Sequence, residues 1–129
     1  MKGGTAVARI LLIEDSPTDT AVLTQLLERN GHEVLAASSA EDGIETCKRE
    51  QPDLVLMDVV LPGMNGFQAT RALGRDGGTK EIPVLIVSTK GMETDQAWGM
   101  RQGAKGYLVK PVKEDVLVNE VNRLLGAAG

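Results

Sequence analysis

Pro52-Asp53-Leu54-Val55-Leu56-Met57-Asp58, continued by Val59-Val60-Leu61-Pro62-Gly63-Met64-Asn65-Gly66, is the stretch that decides the fold. Leu54 to Met57 is an uninterrupted apolar run, which suits a strand buried on both faces. The run stops at a carboxylate, and a loop containing Pro62, Gly63 and Gly66 follows. Asp58 is therefore predicted at the carboxyl end of a central parallel strand, where open α/β sheets bind ligands. A buried structural Asp is the plainer reading of this residue taken alone, so the rest of the chain must decide.

Working outward, similar runs recur on both sides. Ala8–Ile13 reads as a first strand ending in Glu14-Asp15, and Ser16-Pro17-Thr18-Asp19 reads as a helix start. Ser16 is the expected cap, Pro17 suits the first helical position, and Asp19 completes a capping-box-like pattern. Val22, Leu23, Leu26 and Leu27 give that helix an apolar face, and Asn30-Gly31 stops it. A second strand is predicted over His32–Ala37, with Ser39 capping a helix that carries Ala40, Ile44 and Cys47. A third helix over Gly66–Arg75 uses Phe67, Thr70 and Leu73. Ile82–Val87 forms a fourth strand closed by Ser88-Thr89. A helix over Glu93–Gln102, a short strand Gly106–Val109 ending at Lys110-Pro111, and a helix over Lys113–Leu125 with Val116, Leu117, Val121 and Leu124 complete the pattern. Strands alternating with helices imply right-handed βαβ units and an α/β fold: one doubly wound, five-stranded parallel sheet.

The chain has 129 residues, 42% of them apolar and 25% charged, enough for one domain with a real core. The domain is expected over 8–126, with flexible ends at 1–7 and 127–129. A net charge of −4 argues against a nucleic-acid surface and against a basic membrane anchor. No run spans a bilayer and no signal-like apolar segment opens the chain, so a cytoplasmic protein with no membrane contact is expected. Cys47 is the only cysteine and His32 the only histidine. Cys47 is read as core, along with Phe67 and the methionines, and His32 as a surface residue at the start of the second strand.

In such a sheet Glu14-Asp15, Asp58, Ser88-Thr89 and Lys110 all arrive on one edge. Clustered carboxylates repel, and a hard divalent cation with few carboxylates and several waters suits Mg²⁺. Asp carboxylates form covalent phosphoryl intermediates, Lys110 can pair with a phosphoryl oxygen, and Ser88 can donate to another. Taken singly, Glu14-Asp15 fits a solvated turn, Lys110-Pro111 a strand exit and Ser88 a helix cap. The set, arriving from four separate segments, is what carries the reading.

Those residues, with Pro62-Gly63-Met64-Asn65-Gly66, Gly103-Ala104 and Tyr107, make the chain resemble a response-regulator receiver domain, CheY-like, with a flavodoxin-like (βα)5 sheet in the order 2-1-3-4-5. The resemblance implies that Asp58 is the phosphoacceptor and that Glu14, Asp15, Asp58 and the Val60 backbone carbonyl hold Mg²⁺. It implies further that Lys110 binds the phosphoryl group, that Ser88 and Tyr107 form a switch pair, and that Lys110-Pro111 is cis. Glu14 stands where the family more often has Asp. The implied partners are a histidine kinase as phosphodonor and a downstream protein docking on the fourth helix, fifth strand and fifth helix. Trp98 and Arg101 mark that surface if Ala97, Met100 and Ala104 face the sheet; a Trp lying flat over apolar neighbours is the alternative. The stretches Gly66–Arg71, Glu93-Thr94-Asp95, Trp98-Gly99 and Arg101–Ala104 also resemble PilH-type regulators of type IV pilus twitching motility. A monomeric, stand-alone regulator is expected rather than an enzyme. A phosphate sink is the alternative, and a flavodoxin-like cofactor binder the competing class. A hydrolase of the haloacid-dehalogenase kind would need an acid where Val60 stands.

Overall fold

The computed structural model describes residues 7–128. The strands are β1 (Arg9–Ile13), β2 (Glu33–Ala37), β3 (Leu54–Met57), β4 (Val84–Ser88) and β5 (Gly106–Val109). The helices are α1 (Pro17–Arg29), α2 (Ala40–Glu50), α3 (Gly66–Arg75), α4 (Glu93–Arg101) and α5 (Glu114–Ala128). All strands pair in parallel, in the order β2-β1-β3-β4-β5, as predicted.

The continuous apolar runs serve two cores, because successive strand residues face opposite sides. Leu11, Ile13, Val55, Met57, Val84 and Ile86 pack beneath α2 and α3 with Cys47, Ala69 and Leu73. Ile10, Leu12, Leu54, Leu56, Leu85 and Val87 pack beneath α1 and α5 with Leu23, Leu27, Leu117, Val121 and Leu124. Burial raises the Cys47 thiol to about 11, so it behaves as a small apolar side chain.

Ser16 and Ser39 cap α1 and α2 as expected, each accepting from the N–H three residues on. Several expectations need correction. β4 begins at Val84, not Ile82: the Ile82 N–H closes a turn onto the Thr79 carbonyl, and Pro83 has no N–H for a ladder. The last helix continues past Leu125 to Ala128. Val22 and Val116 are exposed, so the buried faces of α1 and α5 are narrower than the apolar pattern. Met92 and Met100 are exposed rather than core, and Phe67 is only half-buried. His32 is buried, because its Nδ1 accepts the Ala8 N–H at 3.3 Å under the segment entering β1. The expected N-terminal flexibility falls almost wholly outside the described residues. Among the described residues no helix is long and apolar enough to cross a membrane.

Candidate functional site

Asp58 follows β3, Glu14 and Asp15 follow β1, Ser88 ends β4 and Lys110 follows β5, so one sheet edge carries them all. The order reverses between β1 and β3, the position at which open α/β sheets bind ligands. The Asp58 N–H donates to the Ile13 carbonyl at 3.0 Å, which extends the ladder to Asp58 itself. Its side chain is nearly enclosed (9% exposed), and Oδ1 accepts the Val59 N–H at 2.8 Å. The following loop closes tightly: the Gly66 N–H donates to the Val59 carbonyl at 2.9 Å. A Cβ at Gly66 would fall 2.0 Å from the Asp58 carbonyl oxygen, so only glycine lets α3 start against Asp58. Asn65 and Gln68 then form a reciprocal capping box that fixes the α3 start.

Lys110 faces this carboxylate from β5, and its bond to Pro111 is cis, as the resemblance implies. Its Nζ donates to Glu14 Oε1 at 2.6 Å and to Asp19 Oδ2 at 2.8 Å, and lies 3.6 Å from Asp58 Oδ2. Glu14 is 4% exposed and its Oε2 accepts the Ser16 N–H at 3.0 Å. Burial raises the Glu14 carboxyl above its ordinary value, with the Lys110 hydrogen bond pulling the other way. For Lys110 burial opposes the charge, but the Asp19 and Glu14 hydrogen bonds outweigh it and hold the ammonium above its ordinary value.

Asp19 is the site residue that the sequence reading missed. Its N–H does meet Ser16 Oγ at 3.2 Å, but its carboxylate does not complete a capping box. Glu14 takes the Ser16 N–H instead, and Asp19 turns to Lys110. The signal was there as an acid in the first turn behind Ser16-Pro17, yet its partner lies 91 residues away in sequence.

Ser88 is fully buried and its Oγ accepts the Lys90 N–H at 3.3 Å. The Tyr107 hydroxyl donates to the Lys90 carbonyl. One residue backbone thus holds both members of the expected switch pair. Burial, then the charges of Asp95 and Asp58, push the Tyr107 hydroxyl up to about 12, so it stays a proton donor. Trp98 and Arg101 are exposed, as expected, but the supporting register is corrected. Gly99 faces the sheet, while Ala97 and Met100 face solvent. The reason is close approach: a Cβ at Gly99 would meet Ile86 Cδ1 and Tyr107 Cδ2 at 2.9 Å.

Among the described residues no three His, Cys, Asp or Glu side chains converge to enclose a metal. Glu14 is committed to Lys110 and Ser16. The other oxygen donors that the resemblance implies, the exposed Asp15 carboxylate, the Asp58 carboxylate and the Val60 carbonyl, follow β1 and β3 on this edge. That set fits Mg²⁺, which keeps several waters, better than it fits Ca²⁺.

The family model described as "Response regulator receiver domain" matches residues 10–122. The chain is 54% identical over 119 residues to Protein PilH of Pseudomonas aeruginosa, covering 92% of this chain and 98% of that protein. It is 36% identical over 116 residues to the transcriptional regulatory protein AfsQ1 of Streptomyces coelicolor, covering 90% of this chain and 50% of that protein. Among solved structures, it superposes with a TM-score of 0.87 and 27% identity on the receiver domain of sensor histidine kinase PA1611 from Pseudomonas aeruginosa, covering 94% of this chain and 99% of that one. That receiver has a magnesium ion coordinated in its active-site cleft. The chemotaxis protein CheY4 of Vibrio cholerae aligns with a TM-score of 0.85 and 27% identity, over 92% of this chain and 99% of that one.

Proposed function

This chain belongs to the response regulator receiver domain family, and on that premise we propose that it is a PilH-like signalling switch whose Asp58 accepts a phosphoryl group from a histidine kinase. The observation that carries the reading is the enclosed Asp58 carboxylate at the end of β3, with the Lys110 ammonium 3.6 Å from its Oδ2. In the transfer, an Asp58 carboxylate oxygen attacks phosphorus. The phosphorus–nitrogen bond of the kinase phosphohistidine breaks, and its electron pair returns to the imidazole. Mg²⁺, held by Asp15, Asp58 and the Val60 carbonyl with Glu14 behind them, would supply charge neutralisation for the phosphoryl oxygens. Lys110 pairs with one of those oxygens and Ser88 donates its hydroxyl proton to another. The protein supplies position and charge, and any turnover is its own acyl phosphate hydrolysing.

The receiver unit is taken as 8–126, acting in the cytoplasm as a monomer. Drawing Ser88 toward the phosphoryl group takes it from the Lys90 N–H, and Lys90 also holds Tyr107. The output is a changed α4-β5-α5 face, with Trp98 and Arg101 on it, read by a downstream protein. Full reversal of such an equilibrium needs about 5.5 kcal/mol of differential contact. The 54% identity to PilH supports a role in type IV pilus twitching motility.

Intact mass after incubation with a small phosphodonor tests the acceptor. Wild type gains a single phosphoryl adduct that needs Mg²⁺, and Asp58→Asn gains none. An adduct that persists in Asp58→Asn places the acceptor elsewhere.

A further inference from the structure

We propose that Asp19 is a positioning residue that holds Lys110 away from Asp58, so that an arriving phosphoryl group must win the ammonium from it. The inference rests on Asp58 being the phosphoacceptor. An ammonium has three N–H donors. Two of them lie within hydrogen-bond range of Glu14 and Asp19, whereas the Asp58 oxygen, at 3.6 Å, lies beyond it. Three carboxylates thus compete for one cation, and the cation sits with the two that do not accept the phosphoryl group.

The two partners differ in how readily they let go. Glu14 is enclosed, and its second oxygen is held by the Ser16 N–H. The Asp19 side chain is 41% exposed. It stands in the first turn of α1, where the helix N-terminus and water still stabilise a carboxylate that has lost its cation. Asp19 and Lys110 also line a groove of about 430 Å³ between α1 and the turn at Pro111, together with Leu23, Pro111 and Val112. The ion pair therefore opens onto solvent. Asp19 is the arm that exchanges, and its contact is made only while Asp58 is unmodified. It raises the cost of phosphorylation without touching the phosphoryl group.

The test is the initial rate of phosphoryl-adduct formation with a small phosphodonor and Mg²⁺, read by intact mass. Asp19→Asn accelerates it about two- to five-fold, the size of a half-exposed ion pair. Asp19→Glu, which restores the charge, lies near wild type. In a Lys110→Gln background Asp19→Asn has no effect, because there is no ammonium to release. Relief of general repulsion on an anionic donor would accelerate both backgrounds equally, and that result overturns the latch. Equal rates for wild type and Asp19→Asn also overturn it, while leaving Asp58 as acceptor. A folded wild type with no adduct overturns the acceptor reading and the latch together.

Discussion

His32 shows what burial does to a single residue. Burial lowers its pKa, and its Nδ1 is already spent on the Ala8 N–H. The unfolded chain titrates near 6.5, so below that pH the unfolded state binds a proton that the folded state refuses. Stability is therefore full above about pH 7, falls as pH drops through about 6.5, and stops falling below the lowered folded pKa. Urea unfolding at pH 7.5 and 5.5 should show a larger loss in wild type than in His32→Gln, and equal losses would refute this account. The strand-end residues Asp58, Ser88 and Lys110 were legible because a strand's exit fixes where its next residue lies. His32 was not, because its cover comes from Ala8, 24 residues away. Asp19 escaped for the same reason: a helix pattern gives a face, but not the partner across the sheet edge.

Among the elements, α4 departs most from its sequence pattern. Its apolar residues Ala97, Trp98 and Met100 face solvent, and it meets the sheet through Gly99. Periodicity cannot show a helix that docks by its smallest residue. Two glycine substitutions should separate contact from propensity. Gly99→Ala gains about 1 kcal/mol of helix propensity but presses on Ile86 and the Tyr107 ring, so we expect a net loss of about 1 kcal/mol. Gly74→Ala in α3 meets nothing within 4 Å and should gain about 0.5–1 kcal/mol. Thermal melts of the two variants should move in opposite directions. A rise for both would mean that α4 does not approach the sheet as closely as the geometry has it.

Across the whole molecule, the packing is uneven. α1 and α5 each bury Leu or Val side chains in one core, and α3 buries Ala69 and Leu73 in the other, whereas Gly99 is the one buried residue of α4. Local opening follows local burial. Amide hydrogen exchange should therefore run fastest in α4 among α1, α3, α4 and α5, and protection in α4 equal to that in α5 would contradict this. Such opening would suit the output face proposed for α4.

The bond from Lys110 to Glu14 spans 96 residues. It has a consequence for the time at which the molecule acquires its chemistry. A growing chain carries its acidic residues and Asp58 well before the ribosome releases β5. Until β5 is laid beside β4, those acids face one another without their cation. An unfinished copy therefore lacks the completed pocket, and its charges balance only when the last strand arrives.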